Sequence, residues 1–404
     1  MATTSFLYHA FGLRGYRHLR TEHIGGQDIH HVELHPHKRR CRGCNAPWWK
    51  LTLAGSFQRR FRALPVGSRP QWIVLHGHLQ ACAACGRTLR EPIAFARGKR
   101  RCIRRFERFV LDLCRRMTIR QAANLLRVGW DFVKDIHKES LRRRAKRIRL
   151  SKVRYLGVDE FAIRKGHRYM TVVLDLETGA VLWVHEGRDA AALLPFLWKL
   201  HRARAPLRAV AMDMGEAYRK AVRQVFPQVD IVFDPYHVVA LASQAVDETR
   251  RDLYRQLRRQ DRKVIKGSRY LLLRAGERLS PDGQQRLREL AQANEPLYLA
   301  YLLKESLRMF WKMGDEQTAA AVLDDWIAQA KASGLRHFER LANTLDTHRA
   351  GLLAYFRHSI TTARLEGLGN KIKVLKRQAY GFRDLEYFKL RILFINEPTP
   401  SFAG

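Results

Sequence analysis

Short apolar runs of strand length, separated by polar turns, fill the middle of the chain. RYLGVDEFAI is one such run, and HRYMTVVLDLETGAVLWVHEG reads as two strands joined at Glu177-Thr178-Gly179, a hairpin signal. DAAALLPFLWKLHRA has helical spacing. LRAVAMDM is a further apolar strand, followed by the helix GEAYRKAVRQVF. DIVFDPYHVVALAS is a strand turning into a helix. From about residue 240 to 360 the period changes: RRDLYRQLRRQDRK, PDGQQRLRELAQANEPLYLAYLLKESLRMFWKM and DEQTAAAVLDDWIAQAKA carry apolar residues near every 3.6 positions. The chain then enters a helix that Glu366 opens and ends in YFKLRILF.

Strand, hairpin, helix, strand, helix, strand is the order of a ribonuclease-H-like α/β core. The helical stretch therefore reads as an all-helical insertion in that core. Upstream, IHHVELHP and QWIVLHGHLQ alternate as strands do, and prolines at 36, 47, 65 and 70 argue against long helices. Helices cover roughly 103–145. The fold class expected is multidomain α+β, with boundaries at 1–100 (zinc-ribbon β module), 101–150 (helix-turn-helix and basic linker), 151–240 (core, first part), 241–358 (insertion) and 359–404 (core, second part).

Composition adds the partner. Lys+Arg number 75 against 38 Asp+Glu, a formal net charge of +37, while hydrophobic residues make up 46%. Such a chain folds and presents a cationic surface, whose usual partner is nucleic acid, because Lys and Arg displace counterions from phosphates. No apolar run approaches the ~20 residues that span a bilayer, and no signal peptide is evident at the start. The expected location is cytoplasmic, in association with nucleic acid. Six cysteines are too few for a disulfide framework.

Four of those cysteines form two pairs, Cys41-x-x-Cys44 and Cys82-x-x-Cys85. A CxxC turn presents two sulfurs to a tetrahedral Zn²⁺, so a structural zinc is expected. His30, His31, His35, His37, His76 and His78 are possible substitute ligands, and Cys102 and Cys114 read as packing residues. MTIRQAANLLRVGWDFVKDIHKE reads as helix, turn, helix. Thr118 caps the first helix, Ala122, Leu125 and Leu126 face inward, and Val128-Gly129 makes the turn. The second helix, Trp130 to Lys138, packs through Val133 and Ile136, and its exposed face with Arg127, Trp130, Lys134 and Lys138 is the candidate DNA contact.

Three carboxylates carry the chemistry: Asp159 and Asp213, each after an apolar strand, and Glu366 on a helix. Two Mg²⁺ ions roughly 4 Å apart are the usual device for phosphoryl transfer on DNA, and carboxylates hold them. Glu160 and Glu216 are competitors; Glu160 should point to the opposite face of its strand from Asp159. Asp175 and Glu177 read as hairpin residues. Asn370, Lys373 and Arg377 follow Glu366 at helical spacing and could hold DNA. Trp311 has two readings, a stacking platform or a core residue.

These motifs resemble bacterial insertion-sequence DDE transposases of the ISL-three type. GVDEFAIRKGHRYMTVVLDLETG, AMDMGEAYRKAV, FDPYHVV and TTARLEGLGNKIKVLKRQAYGFRDLEYFKLRILF carry the resemblance, as does a pair of CxxC motifs before a helix-turn-helix. It covers nearly the whole chain. It implies a catalytic triad of Asp159, Asp213 and Glu366 with Mg²⁺, acting on element terminal inverted repeats and target DNA. Asp234 and His237 resemble a D-x-x-H motif of related families, with a supporting role. A homodimer follows from the need to cut two ends together. The alternatives are a structure-selective nuclease on the same fold and a non-enzymatic DNA-binding regulator.

Overall fold

The computed structural model describes residues 2–164, 168–256 and 265–397. His167, the LRRQDRK end of the RRDLYRQLRRQDRK segment, and residues 398–404 of the second core part lie outside the described residues. The chain divides into two compact units, one ending at Lys146 and one spanning Arg147–Glu397. Among the described residues no helix is long and apolar enough to cross a membrane.

In the first unit a helix, α1 (Ala2–Phe11), precedes strands β1 (Tyr16–Ile24), β2 (Gln27–Leu34), β3 (Leu51–Val66), β4 (Arg69–Cys82) and β5 (Thr88–Arg90). The strand order is β1-β2-β4-β3, with β5 paired to β4. Alternation drives the sheet: Gln71, Ile73 and Leu75 of β4 are buried, while Trp72, Val74 and His76 are only partly covered. Helices α2 (Arg104–Arg116), α3 (Ile119–Leu126) and α4 (Trp130–Ala145) follow. The buried Arg62 of β3 donates to the Leu126 carbonyl at 2.9 Å, which fixes the end of α3 to the sheet.

Thr118 caps α3 through a capping box with Gln121, accepting its N–H at 3.2 Å. Two details differ from the sequence reading. Leu125 is exposed, and the inward face is Ile119, Ala122, Ala123 and Leu126, because the i, i+3, i+4, i+7 stripe excludes position 125. The left-handed residue of the turn is Arg127, with φ 51, and not Gly129. The helical stretch ends with α4 at Ala145, as the sequence reading of helices to about 145 has it; Leu141 is buried, and Arg143 pairs with Glu139 at 3.4 Å.

The second unit holds a mixed sheet, in the order β10-β9-β6-β7-β8. Its strands are β6 (Tyr155–Arg164), β7 (Arg168–Asp175), β8 (Val181–Glu186), β9 (Ala209–Met212) and β10 (Asp230–Phe233). The β7–β8 turn closes on Gly179, whose φ of 72 suits glycine. Asp175 accepts from Glu177 N and Thr178 Oγ1 there, and Arg154 pairs with Glu177.

Helices α5 (Ala190–Arg202), α6 (Glu216–Val225) and α7 (Pro235–Gln256) come next. After them come α8 (Arg269–Leu273), α9 (Pro281–Ala293), α10 (Glu295–Phe310), α11 (Glu316–Ala332), α12 (Arg336–Thr347) and α13 (Arg349–His358). One apolar cluster runs from Leu156, Val210 and Met212 of the sheet through Leu197 and Val222 to Leu297, Phe310 and Leu345. The interstrand helices and the sheet thus share one interior. The opposite face of the sheet is covered by α14 (Ala363–Gln378) and α15 (Leu385–Leu393), through Leu365, Leu368, Ile372 and Phe388 against Met170, Val172 and Leu174.

Candidate functional site

Three neighbouring strands run parallel; β9 ends at Met212 and β10 at Phe233, while β6 continues past Asp159 to Arg164. β6 pairs with β9 through Gly157 opposite Ala211, and β9 pairs with β10 through Met212 opposite Phe233. Continuing these registers sets Asp159, Asp213 and Asp234 level with one another, on strands about 4.8 Å apart. Asp159 lies opposite Val172, which belongs to the α14–α15 face. The Asp159 carboxylate accepts the Glu160 N–H at 2.8 Å. Burial holds its pKa above the ordinary carboxylate range; the Glu160 N–H and His237 pull it down, while the charges of Asp213 and Asp234 push it up.

Two glycines sit closely packed at this end of the sheet. A Cβ on Gly157 would stand 2.8 Å from Leu365 Cδ1 of α14, so a larger residue two positions before Asp159 would make that side chain shift. A Cβ on Gly215 would meet Asp213 Oδ1, also at 2.8 Å. Asp213 instead accepts the Gly215 N–H at 3.0 Å, a turn that opens α6.

Glu366 sits in the first turn of α14, next to the buried Leu365, and its side chain is exposed. Asp234, only 3% exposed, accepts the Thr362 N–H at 2.9 Å, tying the start of that helix to the end of β10. Among the described residues, only the four paired cysteines bring three or more candidate ligand atoms within 4.8 Å of one another. Asp159, Asp213 and Glu366 do not close to that spacing. Two ions about 4 Å apart, each ligated at about 2.1 Å, accept oxygens up to about 8 Å from one another. The all-oxygen donor set suits a hard divalent cation.

Glu160 lies opposite Thr171, on the other face of β6 from Asp159. Thr171 bonds the Tyr218 hydroxyl at 2.7 Å and the Gly187 carbonyl at 2.8 Å. Burial raises the Glu160 pKa, with Asp213 and Asp159 adding to it and Arg188 and Tyr218 opposing. Tyr218 was not singled out in the sequence; its signal is its place on the first turns of the helix that follows Asp213. Glu216 is exposed and paired with Lys220 at 2.8 Å. Trp311 packs on Phe310, Tyr355 and Phe356, which makes it a core residue. Beyond Glu366, Asn370, Lys373 and Arg377 are all exposed, and Lys373 donates to Asn370 at 3.4 Å.

In the first unit the two CxxC turns converge. Cys41 and Cys85 sulfurs are 3.7 Å apart, and those of Cys44 and Cys82 are 3.6 Å apart. Sulfurs at about 2.3 Å from a tetrahedral zinc stand about 3.8 Å from each other, so the set fits Zn²⁺. Each turn closes on a left-handed residue, Asn45 at φ 61 and Gly86 at φ 67. The N–H groups of Cys44 and Gly43 pull the Cys41 thiol down to about 6. The local histidines are engaged elsewhere: His30 with Gln71, His31 with His76, His78 with Glu33, and His35 stacked on His37. Cys102 and Cys114 are buried, as packing residues are. On the helix-turn-helix, Arg127 and Trp130 are exposed, Lys134 and Lys138 half-buried. The Lys134 ammonium lies 5.0 Å from the Trp130 ring centroid.

Residues 156–392 match the ISL3 DDE family model, described as Transposase, which sets the class of the second unit. Residues 91–139 match the model described as the helix-turn-helix domain of transposase family ISL3. The chain is 37% identical over 340 residues to the transposase for insertion sequence element IS1001 of Bordetella parapertussis, covering 83% of both. It is 29% identical over 394 residues to the transposase for insertion sequence element IS1557 of Mycobacterium tuberculosis, covering 91% of this chain and 88% of that one. A solved Drosophila P element transposase strand transfer complex overlays with a TM-score of 0.32 at 10% identity, covering 62% of this chain and 78% of that one, too weak a likeness to argue from. The chain belongs to transposase family ISL3. A DDE transposase domain implies a divalent metal.

Proposed function

We propose that this DNA transposase cuts and joins insertion-sequence ends with Asp159, Asp213 and Glu366 as its catalytic carboxylates, held in a ribonuclease-H-like core of residues 151–240 and 359–404 around a helical insertion at 241–358. The observation that carries this reading is the level placement of Asp159, within β6, and Asp213, just past the end of the parallel β9, on the sheet face covered by the helix that bears Glu366. The strand order supports the core assignment.

The triad would hold two Mg²⁺ ions. When bound, they offset the charge that builds on the phosphate and on the attacking and leaving oxygens. In the first step a water oxygen bonds to phosphorus and the P–O3′ bond breaks; the water loses a proton and the 3′-oxygen gains one. In the second, the freed 3′-OH attacks a target phosphate and displaces its 3′-oxygen, so bonds are exchanged without an external energy source. Lys373, Arg377 and Asn370 would steady the DNA along α14, and His237, which lowers the Asp159 pKa, would support the site. The zinc module (1–100) and helix-turn-helix region (101–150), with Arg127, Trp130, Lys134 and Lys138 toward DNA, would bind the terminal inverted repeats. A homodimer at the bacterial nucleoid would pair two ends.

Joining separates transposase from nuclease. With precleaved terminal-repeat DNA and Mg²⁺, the protein is expected to insert the 3′-OH end into a target plasmid. Hydrolysis of uncut ends with no joining of precleaved ones would favour the nuclease.

Asp234 acts through Thr362 as a positioning residue. Asp234→Ala frees the start of α14 and is expected to slow joining by about 10²-fold, the scale of a misplacement near 1 Å. Asp234→Asn keeps an acceptor for the Thr362 N–H and should recover most of the rate in the same assay. Equal loss in both variants would count against the bracing role.

A further inference from the structure

The exposed row on α14 does not stop at Arg377. Glu366, Asn370, Lys373 and Arg377 recur at steps of four, three and four, and a further step of three reaches Tyr380. Tyr380 is the first residue beyond the C-cap, Ala379. It is 100% exposed, and no contact of its ring is found among the described residues.

The backbone at this point is specific. Gly381 N–H donates to the Lys376 carbonyl and Tyr380 N–H to the Arg377 carbonyl, both at 3.0 Å. That pair of bonds ends a helix around a left-handed residue, and the residue is usually glycine or asparagine. Here it is tyrosine, at φ 50. A side chain with a Cβ is strained there, and no internal contact offsets the strain.

The surroundings are firm and cationic. Phe382 stacks on Phe388 with centroids 4.6 Å apart, and Lys376 Nζ donates to the Ile163 carbonyl at 2.6 Å, four residues past Asp159. Lys373, Arg377 and Arg383 are exposed around the turn. An aromatic ring beside phosphate-binding cations is the composition of a stacking platform for single-stranded DNA. An intact duplex offers no free base face, so the ring's partner is a base that has left the stack.

We propose that Tyr380 stacks on an unpaired base of the DNA substrate, alongside phosphates held by Lys373 and Arg377. This rests on the reading that α14 presents Glu366 to the scissile phosphate. The 14 residues from Glu366 to Tyr380 span about 20 Å of helix. At ~3.4 Å per nucleotide that is roughly six nucleotides from the cut.

The test combines protein variants with abasic DNA. Tyr380→Ala is expected to weaken binding and joining of forked terminal-repeat DNA about tenfold, and Tyr380→Phe to stay within about twofold of wild type. An abasic site about five to seven nucleotides from the cut should weaken the wild type by a similar factor and leave Tyr380→Ala unchanged. Tyr380→Gly should raise the melting temperature while losing the same DNA binding, a combination that a purely structural tyrosine does not give. Wild-type joining by Tyr380→Ala, equal loss in the Phe and Ala variants, or an altered oligomeric state with unchanged DNA affinity would each overturn the proposal. Glu366→Gln separates the two readings. If it still joins ends, the catalytic assignment fails; if it is inactive while Tyr380→Ala is normal, only the stacking role fails.

Discussion

Asp159→Asn is expected to reduce cleavage and joining by about 10³-fold or more, roughly 4 kcal/mol of barrier, while the protein stays folded. The exchange keeps the shape and the acceptor for the Glu160 N–H, and removes only the charge that a divalent cation needs. Its effect on stability has the opposite sign. Burial, with Asp213 and Asp234 added, holds the Asp159 pKa above its unfolded value. Such a group stabilises the fold below the unfolded pKa, and that contribution is lost as pH rises through the folded pKa. At neutral pH and without cations, the ionised Asp159 is therefore a burden that Asn lacks. In chelator, Asp159→Asn should melt at or above the wild-type temperature, while in Mg²⁺ it should show no joining of precleaved ends. Joining within tenfold of wild type would remove Asp159 from the catalytic set.

Stripping zinc from the four-cysteine cluster is expected to unfold the CxxC region and abolish terminal-repeat binding. Structural Zn²⁺ contributes an apparent ~10–16 kcal/mol in small modules, as much as the ~5–15 kcal/mol stability of a whole domain. The cysteines are also tied into the backbone: Cys82 ends β4 opposite Leu51, and Cys41 N–H donates to the Ala46 carbonyl at 2.9 Å. Protein purified without chelator should carry about one zinc per chain. Cys82→Ser should lower that content, raise protease sensitivity within the first unit and eliminate gel shifts on terminal-repeat DNA. Full binding after complete zinc removal would overturn the structural role.

The second unit was legible because its strands are buried on both faces and read as apolar runs bounded by turns. Its hairpin, the Asp159 and Asp213 strands and the following helices could be read from local pattern alone. β1 and β3 were not read: YRHLRTEHI and LTLAGSFQRRFRALPV carry charge at many positions, and their pairing is set by β2 and β4 rather than by their own alternation. Leu125 misled because a large apolar residue beside a stripe looks like part of it. The three proposed catalytic carboxylates could be picked out from strand and helix pattern and from the family resemblance, but the sequence could not supply the hydrogen bond from Thr362 to Asp234 across 128 positions. Nor could it reveal Tyr380, whose peculiarity lies in a backbone angle and a bare ring.

The interior shared by Leu156, Met212, Phe310 and Leu345 has a consequence for how copies of this gene decay. An in-frame deletion that removes part of the segment between α7 and α13 would strip the underside of the sheet and expose greasy surface wholesale. Such a shortened descendant should be cleared by proteases rather than linger as a quiet DNA-occupying competitor, so truncation inside this segment silences the element by erasing its product.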